Sequence, residues 1–131
     1  MDAESIAREA SAVRDAAREL ASAAQISAAL DRLASDLTAA VGQTCPVLVA
    51  VMQGGVFTAT EIARRLDFPY EFNYVHLTRY GNTLAGGEIE WVVRPAASLR
   101  GREVVIVDDI LDRGDTLMAL QAARSLNVLM G

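Results

Sequence analysis

The stretch VVIVDDILDRGDTL, Val104 to Leu117, limits this chain to a narrow set of folds. Val104 to Val107 are continuously apolar, the pattern of a strand covered on both faces, as in the interior of a parallel sheet. Asp108 and Asp109 then fall at the carboxyl end of that strand, which is where open α/β sheets bind ligands. Gly114 admits backbone angles closed to other residues, and a helix starting near Asp115 turns its free N–H groups inward on the same turn. A concave run of N–H groups at a helix start binds phosphate. A plain buried strand with an N-capped helix behind it explains Val104 to Val107 and Thr116. It leaves three clustered carboxylates, Asp108, Asp109 and Asp112, without a purpose.

A second segment has the same grammar. In VLVAVMQGGVFTATEIARRL, Val47 to Leu66, an apolar strand meets a Gly pair and then a helix with Val56, Ala59, Ala63 and Leu66 among its periodic small or apolar positions. Taken alone, Gly54 and Gly55 fit an ordinary strand-to-helix turn equally well. Between the two segments, Phe72, Tyr74, His76 and Thr78 alternate with Asn73, Val75 and Leu77 as in a strand, and the Gly and Asn residues after Tyr80 mark a loop. His76 is the single histidine, and a lone His on a strand is more often packed than catalytic, despite an unperturbed pKa of about 6.5.

Asp108-Asp109-Ile110-Leu111-Asp112-Arg113-Gly114-Asp115-Thr116 resembles the PRPP-binding motif of the phosphoribosyltransferases, with two acids, two apolar residues, then D-T-G-x-T or a variant. The resemblance implies that Asp108 and Asp109 hold the ribose hydroxyls and the water shell of a magnesium ion. It further implies that Asp112 accepts a proton near the purine N7. The 5′-phosphate falls to Arg113, Gly114, Asp115 and Thr116. Two residues depart from the pattern: Arg113 stands where Thr is common, and Asp115 brings a negative side chain close to the phosphate. Met52-Gln53-Gly54-Gly55 is similar to the L-K-G-G pyrophosphate loop of the hypoxanthine-guanine branch, which implies a cis peptide between Met52 and Gln53 and pyrophosphate contacts from Gln53, Gly54 and Gly55. Gln53 in place of Lys removes a cation there. Arg79 and Tyr80 occupy the place of the family's Ser-Tyr pair, which closes over the transition state, and Arg79 supplies a cation that offsets Gln53.

Composition bounds the setting. The 131 residues are 52% hydrophobic, enough for one modest domain, and twelve arginines with no lysine face seventeen acids for a net charge of −5. That balance argues against nucleic-acid binding. No apolar run reaches the roughly 18 residues of a membrane span, and the start MDAESIARE lacks a basic segment followed by an apolar one. One cysteine, Cys45, cannot form an internal disulfide and, ahead of Pro46 and a buried strand, reads as inert. A cytoplasmic location is expected.

Upstream, Ile6, Ala10, Val13, Ala17 and Leu20, then Ile26, Leu30, Leu33 and Leu37, follow the three-and-four spacing of two amphipathic helices. Ser22 with Gln25 matches a capping box at their junction, and Gly42 ends the second helix. The order is helix, helix, strand, helix, strand, loop, strand, helix. It predicts an α/β fold: a parallel sheet flanked by helices, in one domain over 1–131, with N-terminal helices in 1–41 and a PRPP-binding core in 47–126. The final SLNVLMG is apolar and predicts an exposed sheet edge. Segments that grip the purine in the family, including a Lys reading its 6-oxo group, have no counterpart, so the chain is expected to be a carboxyl-shortened member.

The resemblance therefore implies a homo-oligomeric (dimeric or tetrameric) purine salvage transferase, or a shortened member with impaired turnover, whose partners are PRPP and a purine base. A non-catalytic PRPP or nucleotide regulator, or an assembly subunit, is the alternative. The three acids favour the enzyme; Gln53 and the missing purine-gripping segments favour the regulator.

Overall fold

The computed structural model describes residues 1–80, 88–95, 99–110, 118 and 127–130. Its elements are α1 (Ala3–Ala16), α2 (Ala23–Val41), β1 (Val47–Met52), α3 (Gly55–Ala63), β2 (Glu71–Tyr80), β3 (Glu88–Val93), β4 (Glu103–Val107) and β5 (Asn127–Met130). The strands form a sheet in the order β3-β2-β1-β4-β5. β1 pairs in parallel with both β2 and β4, and β4 in parallel with β5.

The two central strands are buried almost end to end, as their unbroken apolar runs require. Alternate side chains serve opposite faces. Val47, Val49 and Val51 pack with Val75, Val104, Ile106 and Leu99, flanked by Leu77 and Trp91. On the other face Leu48, Ala50, Val105 and Val107 meet Leu37 and Val41 of α2 and Ala59 and Ile62 of α3. Both helices thus cover the same side. Arg65, just beyond α3, ties them together: its guanidinium donates to Asp31 (2.8 Å) and Ser27 (3.1 Å) on α2 and to Glu61 (2.9 Å) on α3.

The capping box forms as expected, with Gln25 N–H donating to Ser22 Oγ (3.1 Å) and Ser22 N–H donating to Gln25 Oε1 (2.8 Å). Gly42 is the C-cap of α2. The helix α1 is shorter than its periodicity predicts. Asp2 caps its start by accepting from Ser5 N–H (2.8 Å), but Ala17 is already extended, so Ala17 and Leu20 lie outside the helix, and no residue of α1 is buried.

Two further elements correct the expected order. The sheet is mixed rather than wholly parallel, because β3 runs antiparallel to β2, with an irregularity between His76 and Leu77 where Val92 is the extra residue. Its alternation of Ile89, Trp91 and Val93 with Glu88 and Glu90 was a legible strand signal. The terminal apolar stretch also pairs, as β5, and lies at an outer edge of the sheet among the described strands. No described helix is long and apolar enough to cross a membrane.

Candidate functional site

Parallel pairing brings the ends of β1 and β4 to one edge. In register, Val47 partners Val104 and Ala50 partners Val107, so the turn after β1 and the acids after β4 leave the sheet side by side. The approach is close at both glycines. A Cβ on Gly54 would stand 2.5 Å from Asp109 Cγ and 2.7 Å from its Oδ1. One on Gly55 would collide with the Val107 carbonyl and stand 3.0 Å from Asp108 Cα. Gly54 has a φ of −60°, within reach of any residue, so what opposes a side chain there is the space held by the Asp109 carboxylate and not the backbone angle.

The peptide between Met52 and Gln53 is cis, as the resemblance implies. Gln53 O then accepts from Val56 N–H (3.2 Å), closing the turn into α3. Gly54 is the N-cap of α3 and offers no side-chain hydrogen bond, and the first turn holds no acid. The leading N–H groups of this helix therefore have no capping side chain at Gly54, a setting that favours an anion.

Asp108 is half-buried and Asp109 exposed. Asp109 N–H donates to Asp108 Oδ1 at 2.8 Å. Burial, the larger cause, and the adjoining Asp109 carboxylate both push the Asp108 pKa above its ordinary value, against the opposing pull of the Asp109 N–H. Neither carboxylate forms an ion pair among the described residues. Two adjacent carboxylates are hard oxygen donors of the kind that suit a hydrated magnesium ion. No group of three or more His, Cys, Asp or Glu able to hold a metal occurs among the described residues.

Because β2 is parallel to β1, its carboxyl end rises from the same edge. Met52 partners His76, and Arg79 and Tyr80 follow three and four residues later, paired to Ile89 and Glu88 of β3. At about 3.3 Å per residue their backbone stands roughly 10 to 13 Å above the Met52 level. The paired ends of β2 and β3 thus extend past the carboxyl end of β1. Asp112, Arg113, Gly114, Asp115 and Thr116 lie outside the described residues. His76, half-buried on β2, neighbours the cis turn through the backbone register.

Cys45 is an exposed free thiol at the opposite, amino-terminal edge. There Arg102 donates to Cys45 O (2.8 Å) and to Glu71 (3.0 Å), pinning the starts of β1, β2 and β4 together. That clamp was not foreseen, and an Arg one residue before a strand carries no local signal of it. Ile110, also not singled out, is 70% exposed immediately after the acids.

The fold agrees with comparison to known proteins. A family model, the phosphoribosyl transferase domain, matches residues 16–127. The chain belongs to the phosphoribosyltransferase family. It is 32% identical over 107 residues to the bifunctional protein TilS/HprT of Listeria innocua, covering 81% of this chain and 16% of that one. It is 28% identical over 107 residues to the hypoxanthine-guanine phosphoribosyltransferase of Bacillus subtilis, covering 81% of this chain and 59% of that protein. Among solved structures, a hypoxanthine-guanine phosphoribosyltransferase from Bacillus anthracis superposes with a TM-score of 0.77 at 21% identity, covering 87% of this chain and 72% of the other. This phosphoribosyltransferase chain therefore spans only part of the length of the curated relatives it matches.

Proposed function

We propose that this phosphoribosyltransferase domain binds PRPP at the shared edge of β1 and β4 and serves purine salvage, transferring the phosphoribosyl group to hypoxanthine or guanine. The observation that carries the reading is the contact of Gly54 with the Asp109 carboxylate, which joins a glycine turn at a helix start to a pair of acids. Phosphate groups and ribose hydroxyls need these two chemistries within one cleft. The leading N–H groups of α3, with Gln53, Gly54 and Gly55, receive the pyrophosphate, while Asp108 and Asp109 accept from the ribose hydroxyls. Arg113, Gly114, Asp115 and Thr116 take the 5′-phosphate.

In the reaction a purine nitrogen bonds to ribose C1 as the C1–O bond to pyrophosphate breaks, its electron pair leaving with the pyrophosphate. Asp112 takes the proton that the purine releases. Arg79 and Tyr80, carried on the projecting hairpin, cover the reacting centre and exclude water, which protects PRPP from hydrolysis. Magnesium bound through water to Asp108 and Asp109 would supply positive charge against the departing pyrophosphate. The same reading makes the protein cytoplasmic, a setting in keeping with its free thiol, and homo-oligomeric.

Calorimetric titration with PRPP, with and without magnesium, tests binding, and product formation from hypoxanthine, guanine, xanthine and adenine tests transfer. Magnesium-dependent PRPP binding that falls at least tenfold in Asp108→Asn/Asp109→Asn is expected. Unchanged affinity in that folded variant overturns the site, and binding without turnover of any base would make the domain a regulator instead.

A further inference from the structure

We infer that α1 is a self-association helix, pairing in parallel with α1 of a second copy of this chain. The family match begins only at residue 16, the last of α1 (Ala3–Ala16), and no residue of this helix is buried. Yet its sequence is two-faced. Ala3, Ile6, Ala10 and Val13 recur at alternating spacings of three and four, the a and d positions of a heptad, and Ala17 and Leu20 continue the series just past the helix end. Ile6 is 54% exposed, Val13 67% and Leu20 84%. Ile6 and Val13 are large apolar side chains on one stripe of the helix, and neither is buried.

Charge selects the occupant. In this register Glu4, Arg8 and Asp15 fall on the outer face, while Glu9 takes position g and Arg14 position e. In a parallel pair each g residue faces the e residue five positions on in its partner, so Glu9 of each copy meets Arg14 of the other, twice by symmetry. An antiparallel pair instead sets g against g and e against e, bringing like charges together. A membrane surface fits poorly, since the polar face mixes both signs and the apolar stripe has no aromatic residue and alanine at every other position. Within its own helix Arg14 reaches only Asp15, at 3.5 Å with both side chains largely in solvent, which leaves it able to serve a partner. Two helices of this length form a small interface, so the association is weak and concentration-dependent.

Sedimentation equilibrium of the full chain over a concentration series tests this. The unaltered protein should show a reversible association step. Ile6→Glu/Val13→Glu should abolish that step with circular dichroism of the α/β core retained, because neither residue is buried. Glu9→Arg should weaken it by about tenfold, two favourable pairs becoming repulsive. Glu9→Arg/Arg14→Glu should restore it. On a Cys45→Ser background, Ile6→Cys should form a disulfide between copies, since a parallel pair sets the two Ile6 positions side by side. The absence, at every concentration, of an association step that responds to Ile6→Glu/Val13→Glu, or failure of the charge exchange to restore that step, overturns the proposal, whereas assembly through the shared fold is recognised by its indifference to both substitutions. Capture of a different protein through α1 by a chain that does not self-associate overturns it equally.

Discussion

Gly54→Ala isolates the contact on which the site depends. The added Cβ would stand 2.5 Å from Asp109 Cγ, more than 1 Å inside ordinary carbon contact, so one of the two must move. Asp109 is exposed and its carboxylate can rotate into solvent, so stability should change by less than about 1 kcal/mol. Binding should not be spared. Turning Asp109 away forfeits a charge-assisted hydrogen bond to PRPP, about 1.5 to 3 kcal/mol, or roughly 10 to 150-fold in affinity. Gly55→Ala provides the contrast. Its Cβ meets the Val107 carbonyl and Asp108 Cα, backbone atoms at the end of a buried strand that cannot swing aside. That substitution should cost about 1 to 3 kcal/mol in urea unfolding, the usual penalty of overpacking. Calorimetry with PRPP and magnesium, beside urea midpoints, separates the two effects. On an Asp109→Ala background Gly54→Ala should lose most of its effect on binding, since the clash is then gone. Undiminished PRPP affinity in Gly54→Ala, or an equal loss with and without Asp109, would refute the reasoning.

Other substitutions read other parts of the structure. Asp108 has a raised pKa, so the folded chain holds this proton more tightly than the unfolded one, and its ionisation costs stability as pH rises from near 3.8 through the higher folded value. Asp108→Asn should therefore raise the urea midpoint at neutral pH and leave it little changed at acid pH; equal shifts at both would contradict the burial argument. Ile62 is fully buried between α3 and the sheet, so Ile62→Ala should destabilise by about 2 to 5 kcal/mol, and a loss below about 1 kcal/mol in thermal or urea unfolding would mean α3 is loosely packed. Ser22→Ala removes one half of the capping box of α2 and should cost about 1 kcal/mol, while Ser22→Thr or Ser22→Asp should retain most of the cap.

Much of the local structure is written in local chemistry. The unbroken valines of β1 and β4, the capping box at Ser22 and Gln25, and the Gly pair opening α3 each involve residues a few positions apart. Where reading failed, the local pattern was present but ambiguous. Glu88 to Val93 alternates as a strand should, yet follows a Gly-rich stretch that also suits a loop, and only pairing with β2 distinguishes the two. Likewise α1 carries full helical periodicity, which predicts a buried stripe, and nothing within the helix reports that the core lies elsewhere.

The sequence by itself determined that two apolar strands end in turns rich in glycine and acid, because backbone conformation and hydrophobic period act over a few residues. It could name Gln53, Gly54, Gly55, Asp108 and Asp109 as candidates, since those residue types carry their chemistry wherever they stand. Only the tertiary structure decided that Gly54 touches Asp109. That contact requires β1 and β4 to be adjacent, parallel and in the register that sets Ala50 beside Val107. Adjacency and register follow from burial of both sheet faces at once, with α2 and α3 on one side and Val75, Leu99 and Trp91 on the other. The electrostatic state of Asp108 is decided at the same level: Asp109 is already its neighbour along the chain, but burial at the end of β4, the larger cause of its raised pKa, exists only once the sheet has formed.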